Sequence, residues 1–120
     1  MKDQTVFAFR DYKEYLALRL RNQPRGAQAR LASALRCHSG YLSQILNAQA
    51  HLSLEQGIEV NRFLTHSKPA SRYFLLLLQR ARAGTVELRA YFDEEIEGEL
   101  ADRLVLKNRF QVDVPIDPED

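Results

Sequence analysis

The stretch LASALRCHSGYLSQILN, residues 31–47, constrains the fold more than any other part of this 120-residue chain. Apolar residues recur at helical spacing on both sides of a short polar break at 36–38, so the pattern predicts two helices joined by a sharp corner. With Gln28 counted as position one, positions 4, 5, 8, 10, 15 and 18 are all apolar: Leu31, Ala32, Leu35, Cys37, Leu42 and Ile45. This spacing is typical of a helix-turn-helix, whose second helix crosses closely over a small residue, here Ala32.

The rest of the sequence predicts only helices, separated by breaks that contain proline, glycine or short polar residues. The first predicted helix ends near residue 22. Five more are predicted at about 27–35, 39–46, 53–64, 72–83 and 85–110. The predicted fold is therefore all-α, a five- to six-helix bundle that contains a helix-turn-helix and has a long C-terminal amphipathic helix. We divide it into a bundle at 1–83, an acidic helix at 84–110 and a tail at 111–120, which we expect to be extended or disordered.

The fourth predicted helix has a clear start signal. Ser53 and Gln56 have the spacing of a capping box, in which each side chain bonds the other residue's backbone N–H. Its apolar residues are expected to be buried, namely Leu54, Ile58 and Leu64. Gly57 lies inside the helix, where glycine costs about 0.5–1 kcal/mol relative to alanine, so we expect a neighbouring helix to approach closely there.

Charge is distributed unevenly along the chain. Residues 1–83 carry 13 Lys or Arg against 5 Asp or Glu, a balance of +8, whereas residues 84–120 carry 4 against 11, a balance of −7. This asymmetry indicates a basic module that contacts a polyanion, joined to an acidic module with another task. The alternative is that solvated faces of one bundle differ in charge by chance.

The segment QARLASALRCHSGYLSQILNAQAHLSLEQGIEVNRFL, residues 28–64, resembles the DNA-binding domain of the lambda-repressor-like (Cro/C1-type) family. More narrowly, the order of FRDYKEYL, this segment, SRYFLLLLQRA and ELRAYFDEEI is similar to a sparsely characterised bacterial family of regulators with an N-terminal helix-turn-helix. The resemblance implies a bundle that binds double-stranded DNA with its second motif helix in the major groove.

The resemblance also implies which residues would touch DNA. The residues implied to face the bases are Ser39, which would also cap its helix, and Ser43, Gln44 and Asn47. Gln44 is the strongest candidate, because glutamine can pair with two atoms of adenine. The residues implied to contact phosphates are Arg25, Gln28, Arg30 and Arg36.

Two residues depart from the family pattern. Position nine is usually glycine because the corner takes a left-handed backbone conformation, and here it is Arg36. An arginine there costs about 1 kcal/mol unless the corner is reshaped, although it adds a cation near the DNA backbone. Gly40 removes a side chain from the first turn of the reading helix, where base contacts are normally made.

The long C-terminal helix carries an apolar stripe that needs a partner surface: Leu88, Phe92, Ile96, Leu100 and Leu104. Regulators of this fold bind two half-sites about 34 Å apart, so we predict a homodimer with this stripe in its interface. The alternative is that the stripe folds back onto residues 73–78 of the same chain.

The sequence offers little for other chemistry. Cys37 is a core residue by its position, and the three histidines have no metal-ligand spacing. The acid pairs Asp93/Glu97 and Glu95/Glu99 fit a solvated helix face better than a cation site. There is no glycine-rich phosphate loop, so we expect neither an enzyme nor a cofactor or metal.

One cysteine, no apolar run of about 20 residues and no leader-like start predict a soluble, cytoplasmic protein with no membrane contact. The predicted function is sequence-specific binding of double-stranded DNA by a transcriptional regulator. The alternative is an adaptor that keeps the fold but binds proteins, with the acidic C-terminal helix as its partner surface.

Overall fold

A computed structural model describes residues 6–113, and the side chains of residues 6–105. Six α-helices, and no strand, occupy this part of the chain, which confirms the all-α class. They are α1 Tyr12–Arg21, α2 Ala27–Ala34, α3 Ser39–Asn47, α4 Leu54–Phe63, α5 Lys68–Arg82 and α6 Val86–Asp113. None of these helices is long and apolar enough to cross a membrane.

Helix α5 is the centre of the fold, as its nearly continuous apolar run predicts. It packs against α1, α4 and α6, while α2 and α3 pack against each other and against α1. The core between α1 and α5 is aromatic: Tyr12 and Tyr15 meet Phe74 with ring centroids 5.9 and 6.1 Å apart. Helix α2 also packs against α4, and α6 packs on α5.

Helix α5 begins earlier than the sequence predicts. Residues 65–71 were expected to be a break, but the helix starts at Lys68, because the Ser67 side chain accepts a hydrogen bond from the N–H of Ala70 at 3.3 Å. Pro69 lies in the first turn, where its missing N–H removes no helical hydrogen bond. The prediction counted this proline as a helix breaker, and it is part of a helix start.

Helix α4 has the predicted cap but a different buried face. Ser53 and Gln56 form the capping box, each backbone N–H lying 3.0 Å from the other side chain's oxygen. Leu64 is buried as expected, whereas Leu54 and Ile58 are 41 % and 44 % exposed, so that part of the prediction is wrong. The face that packs inward consists of Gly57, Val60, Asn61 and Leu64.

Gly57 allows the close helix approach that the sequence predicts. A Cβ atom at this position would lie 2.7 Å from Leu78 Cδ2 and 2.9 Å from Leu75 Cδ2, closer than real contacts allow. Asn61 is buried beside it and donates from Nδ2 to the carbonyl oxygen of Ser71, 3.3 Å away. Gly57 and Asn61 thus lie in the interface between α4 and α5, where the sequence predicted Leu54 and Ile58.

Helix α6 folds back onto α5 of its own chain. Ile96 is 1 % exposed and belongs to the core, Phe92 and Leu100 are half-buried, and Leu88 and Leu104 are exposed. The middle of the stripe therefore cannot face a second copy. This corrects the predicted dimer interface along the stripe and agrees with the alternative, in which the stripe packs on α5 of the same chain. Residues 111–113 continue the helix rather than forming an extended tail, and residues 114–120 lie outside the described part of the chain.

Candidate nucleic-acid interface

The corner between α2 and α3 has the conformation that the sequence predicts. Arg36 has φ 60°, in the left-handed region, and its N–H donates to the carbonyl oxygen of Ser33 at 3.0 Å. The N–H of Cys37 donates to the carbonyl oxygen of Ala32 at 2.9 Å. These two bonds form a Schellman motif, which ends α2 and turns the chain toward α3. The corner is not reshaped to relieve the arginine.

Helix α3 buries Leu42 and Ile45 against the rest of the bundle and exposes a polar face. Gly40, Gln44 and Asn47 are spaced by four and three residues, so they share one side of the helix, opposite the buried residues. A Cβ at Gly40 would meet nothing within 4 Å. The exposed face therefore has an open backbone in its first turn and amide side chains in the turns that follow.

Two of the expected base-reading residues bond within the chain. Asn47 donates from Nδ2 to the carbonyl oxygen of Ser43 at 2.9 Å, which directs its Oδ1 away from that bond. Ser43 is half-buried, and the Gln44 side chain is exposed with no hydrogen bond to any of the described side chains or backbone groups. The structure thus leaves the Gln44 amide free to bond a ligand, whereas the Asn47 amide group already donates within α3.

Ser39 does not cap α3, contrary to expectation. The cap residue is His38, whose backbone is extended with φ −77° and ψ 148°, and the carbonyl of His38 already accepts from the N–H of Leu42 at 3.0 Å. The helix consequently begins at Ser39 itself. The carbonyl oxygen of Ser39 accepts a hydrogen bond from Gln28 Nε2 at 3.3 Å, so Gln28 ties the start of α2 to the start of α3.

The arginines expected to bind phosphates differ in whether their side chains already bond within the chain. Arg30 folds back over the turn before α2, with Nη1 donating to the carbonyl oxygen of Arg25 at 3.0 Å. The side chains of Arg25 and Arg36 are exposed. Arg25, Gln28 and Asn47 line one groove of about 460 Å³, together with Arg21 at the end of α1, whereas Arg36 lies outside this groove on the corner.

The surface around α2 and α3 is basic because acidic residues are missing from this part of the chain. Five arginines and no acidic residue occur between Glu14 and Glu55. The acids of α6 instead pair with other arginines, namely Glu97 with Arg10 at 3.1 Å, Glu99 with Arg72 at 3.5 Å and Asp93 with Arg80 at 2.6 Å. A polyanion would therefore meet uncompensated positive charge at α2 and α3 and acidic residues along α6.

The segment that follows α3 is held by α1, an element that the sequence analysis did not connect to the site. Lys13 Nζ donates to the carbonyl oxygens of Ala48 and Ala50 at 2.6 and 2.7 Å. The Tyr12 hydroxyl accepts from the N–H of Leu52 at 3.2 Å, and burial raises the pKa of Tyr12 to about 12. These bonds fix the C-terminal end of α3 relative to the core.

Sequence reasoning also missed Tyr41. This side chain is 45 % exposed in the first turn of α3, next to Gly40. The available signal was an aromatic residue placed directly before the buried Leu42 on a helix whose other face is polar. An exposed aromatic beside a polar face can contact a sugar or the methyl group of thymine.

The structure shows the surroundings of Cys37 and of the acid pairs on α6. Burial raises the pKa of the Cys37 thiol, which disfavours the thiolate that a nucleophile needs. The carboxylates of Asp93 and Glu97 are both paired with arginines. Among the described side chains, residues 6–105, no three His, Cys, Asp or Glu residues are grouped so that they could hold a metal ion.

No protein-family model, curated protein or solved structure matches this chain. The arguments about function therefore rest on the placement of the chain's own side chains. Arg25 and Asn47 line one groove, and Gly40, Gln44 and Asn47 share the exposed face of α3, within a stretch of sequence that has arginines and no acidic residue.

Proposed function

We propose that the chain binds double-stranded DNA sequence-specifically, as a transcriptional regulator, with α3 in the major groove. The observation that carries this proposal is the exposed polar face of α3 at the centre of the acid-free arginine segment between Glu14 and Glu55. The arginines would supply affinity through phosphate contacts, and the amide side chains of α3 would supply specificity through base edges.

Gln44 and Gly40 of α3 and Gln28 of α2 each have a defined part in this proposal. Gln44 reads adenine through two hydrogen bonds, to N6 and N7, a contact that discriminates by about 1–3 kcal/mol. The open backbone at Gly40 lets the first turn of α3 approach the floor of the groove. Gln28 acts by holding α2 and α3 together through Ser39, rather than by binding a phosphate with its own side chain.

The proposal includes a homodimer, because two half-sites about 34 Å apart require a two-fold pair of reading helices. Helix α6 packs on α5, whereas α2 and α3 pack mainly on α1, on α4 and on each other, so the acids of α6 would lie away from the proposed DNA surface. Acidic residues would repel DNA if they lined that surface. Their position on the far side is therefore compatible with DNA binding.

The test is duplex binding measured by fluorescence anisotropy at two salt concentrations, on a duplex selected from a random library and on an unrelated duplex. Gln44→Ala should weaken binding to the selected duplex about 5- to 150-fold, which corresponds to about 1–3 kcal/mol, and leave binding to the unrelated duplex nearly unchanged. Arg36→Ala should weaken both and reduce the salt slope by about one unit.

Arg62→Ala is the matched control, since Arg62 is an exposed arginine on α4 that pairs with Glu59. On a duplex with a single half-site it should bind like the parent. Equal losses on both duplexes for Gln44→Ala would show that Gln44 reads no base, and an Arg62→Ala effect as large as that of Arg36→Ala would show that binding is not localised to α2 and α3.

A protein-binding adaptor is the second candidate, and the exposed apolar residues Leu54 and Ile58 on α4 favour it. Binding of neither duplex at low salt by the folded parent would replace the DNA proposal with this one. DNA remains the first proposal because these apolar residues lie on α4, outside the basic surface around α3.

A further inference from the structure

A groove between α4 and α5 combines an apolar floor with a basic rim. Ile58, 44 % exposed, and the half-buried Leu75 lie on the floor, and Arg62, Lys68 and Arg72 lie around them. The space between these side chains is about 500 Å³. We call these five residues the basic groove. Arg62 and Arg72 already pair with Glu59 and Glu99, whereas Lys68 has no carboxylate partner among the described side chains. An apolar floor with a basic rim suits an amphipathic segment that carries acidic residues.

Helix α6 presents such a segment on its outer surface. Leu88, Glu95 and Asp102 are spaced by seven residues and so lie along one strip of the helix, with Tyr91 between the first two. All four side chains are exposed. We call these four residues the acidic strip. Its apolar half can meet the floor of the basic groove and its carboxylates can meet the rim.

The two surfaces border each other in one chain but cannot meet there. Arg72 of the basic groove bonds Glu99, which lies on α6 beside Glu95 and Asp102, with Nη1 and Oε2 3.5 Å apart. Ile96, buried in the core, fixes α6 on α5, so the helix that carries the acidic strip cannot move into the groove of its own chain. Two complementary surfaces that one rigid chain cannot bring together can pair between two copies, as in an isologous interface.

We propose that two copies of this chain pair about a two-fold axis near Arg72, each placing its acidic strip in the basic groove of the other. The contact then occurs twice and closes, so a dimer forms instead of an open chain of molecules. The pairing rests on the proposed function for its purpose, since a two-fold pair presents two copies of α3 to two half-sites. Its contacts do not depend on DNA.

The first test is the molar mass in solution, measured by light scattering at tens of micromolar. The parent should have twice the mass of one chain, and Ile58→Glu should have the mass of one chain with an unchanged helical circular dichroism spectrum. Leu104→Glu is the control, because Leu104 is an exposed apolar residue of the same helix outside the strip; it should remain a dimer. A monomeric parent, or a dimeric Ile58→Glu, overturns the pairing.

The second test exchanges the charges. A rim variant, Arg62→Glu with Lys68→Glu, and a strip variant, Glu95→Arg with Asp102→Arg, should each have the mass of one chain. An equal mixture should recover twice that mass, because one chain then has an acidic groove and strip and the other has a basic groove and strip, which are complementary at both contacts. Failure of the mixture to recover, or a dimer of either variant alone, contradicts the assignment.

Duplex binding separates this inference from the proposed function. Monomeric Ile58→Glu should bind a single half-site like the parent and lose at least 10-fold in affinity on a duplex with two half-sites. A parent that passes both mass tests and binds no DNA supports the pairing and overturns the proposed function. Equal affinity of the parent and Ile58→Glu for the two-site duplex would show that the paired form is not the one that binds DNA. The pairing would then not serve to present two copies of α3 to two half-sites.

Discussion

Arg36 occupies a backbone conformation that favours glycine, and it does so at the most sharply defined corner of the fold. A left-handed conformation costs a side-chain-bearing residue about 1–2 kcal/mol. The positive φ of 60° shows that the corner accepts this cost in the folded chain. The proposed phosphate contact gives a reason for an arginine at a position where glycine would be more stable.

Arg36→Gly should therefore change stability and DNA binding in opposite directions. We expect the free energy of unfolding to rise by about 0.5–1 kcal/mol, because relief of the left-handed strain exceeds the extra flexibility of glycine in the unfolded chain. Duplex affinity should fall because a cation is lost. Chemical denaturation and fluorescence anisotropy measure the two effects.

Thr65→Gly is the control for this pair of measurements. Thr65 has φ 52° in the corresponding corner after α4 and carries no charge. The free energy of unfolding of Thr65→Gly should rise by a similar amount, and its affinity for DNA should not change. Unchanged DNA affinity in Arg36→Gly would remove Arg36 from the proposed interface.

We expect His51 to make stability depend on pH. It lies in the segment after α3, with Nδ1 3.0 Å from the Tyr12 hydroxyl, and burial lowers its pKa, helped by the charges of Lys13 and Arg82. The folded chain therefore binds the proton of His51 less readily than the unfolded chain, whose histidines titrate near 6.5. This stabilisation is complete above about pH 6.5 and is lost as the pH falls toward the lower folded pKa.

The melting temperature of the parent should thus drop between pH 7.5 and 5.5, and the drop should be smaller in His51→Gln. His38→Gln, at an exposed histidine of the corner, is the comparison variant. Identical drops in the parent and in His51→Gln would show that His51 does not contribute to the pH dependence.

At the scale of elements, Gly57 is required where α4 meets α5. A Cβ there would lie 2.7 Å from Leu78 and 2.9 Å from Leu75, so Gly57→Ala must displace one helix or both leucine side chains. We expect a loss of about 1–3 kcal/mol, the cost of overpacking, although alanine is the better helix former. Urea denaturation gives the change in free energy.

Gly98→Ala provides the comparison, since a Cβ at Gly98 on α6 would meet nothing within 4 Å. That change should stabilise the chain by about 0.5–1 kcal/mol through helix propensity alone. A Gly57→Ala variant as stable as Gly98→Ala would mean that α4 and α5 do not approach as closely as described.

The elements that the sequence predicts well are those with local signals. The spacing around Ala32 and the capping box of Ser53 each depend on residues only a few positions apart. The corner after α2 and the start of α4 agree with the prediction, whereas the cap of α3 is His38 and not Ser39. The buried face of α4 could not be predicted by apolar spacing, because its members include Gly57 and Asn61, which pack by close approach and by hydrogen bonding.

A stripe of apolar residues has a different limit. The stripe on α6 shows that one face of the helix needs cover, and it does not show which surface provides it. A second copy and the chain's own α5 both fit the pattern, and the choice depends on contacts between residues far apart in sequence. The same limit applies to Lys13, whose bonds to Ala48 and Ala50 join segments that no local signal connects.

At the scale of the whole molecule, the basic and acidic parts of the sequence form one structure with two different ends. Three arginines of residues 1–83 pair with acids of α6, and the arginines around α2 and α3 do not. The acidic helix thus compensates charge at α5 and leaves the proposed DNA surface basic. This arrangement requires α6 to be part of the core and not a separate unit.

Ile96→Ala tests that requirement. Because Ile96 is 1 % exposed in the core, its truncation should cost about 2–5 kcal/mol, the usual cost of removing a large aliphatic side chain from a packed interior. Leu104→Ala on the exposed part of the same helix should change stability by less than about 0.5 kcal/mol. Thermal unfolding of Ile96→Ala should remain a single transition, with far-ultraviolet and tyrosine circular dichroism changing together. Two separate transitions, or a truncation with no effect, would show that α6 is an independent helix, and the acids of α6 would then not be held away from α2 and α3 by the core.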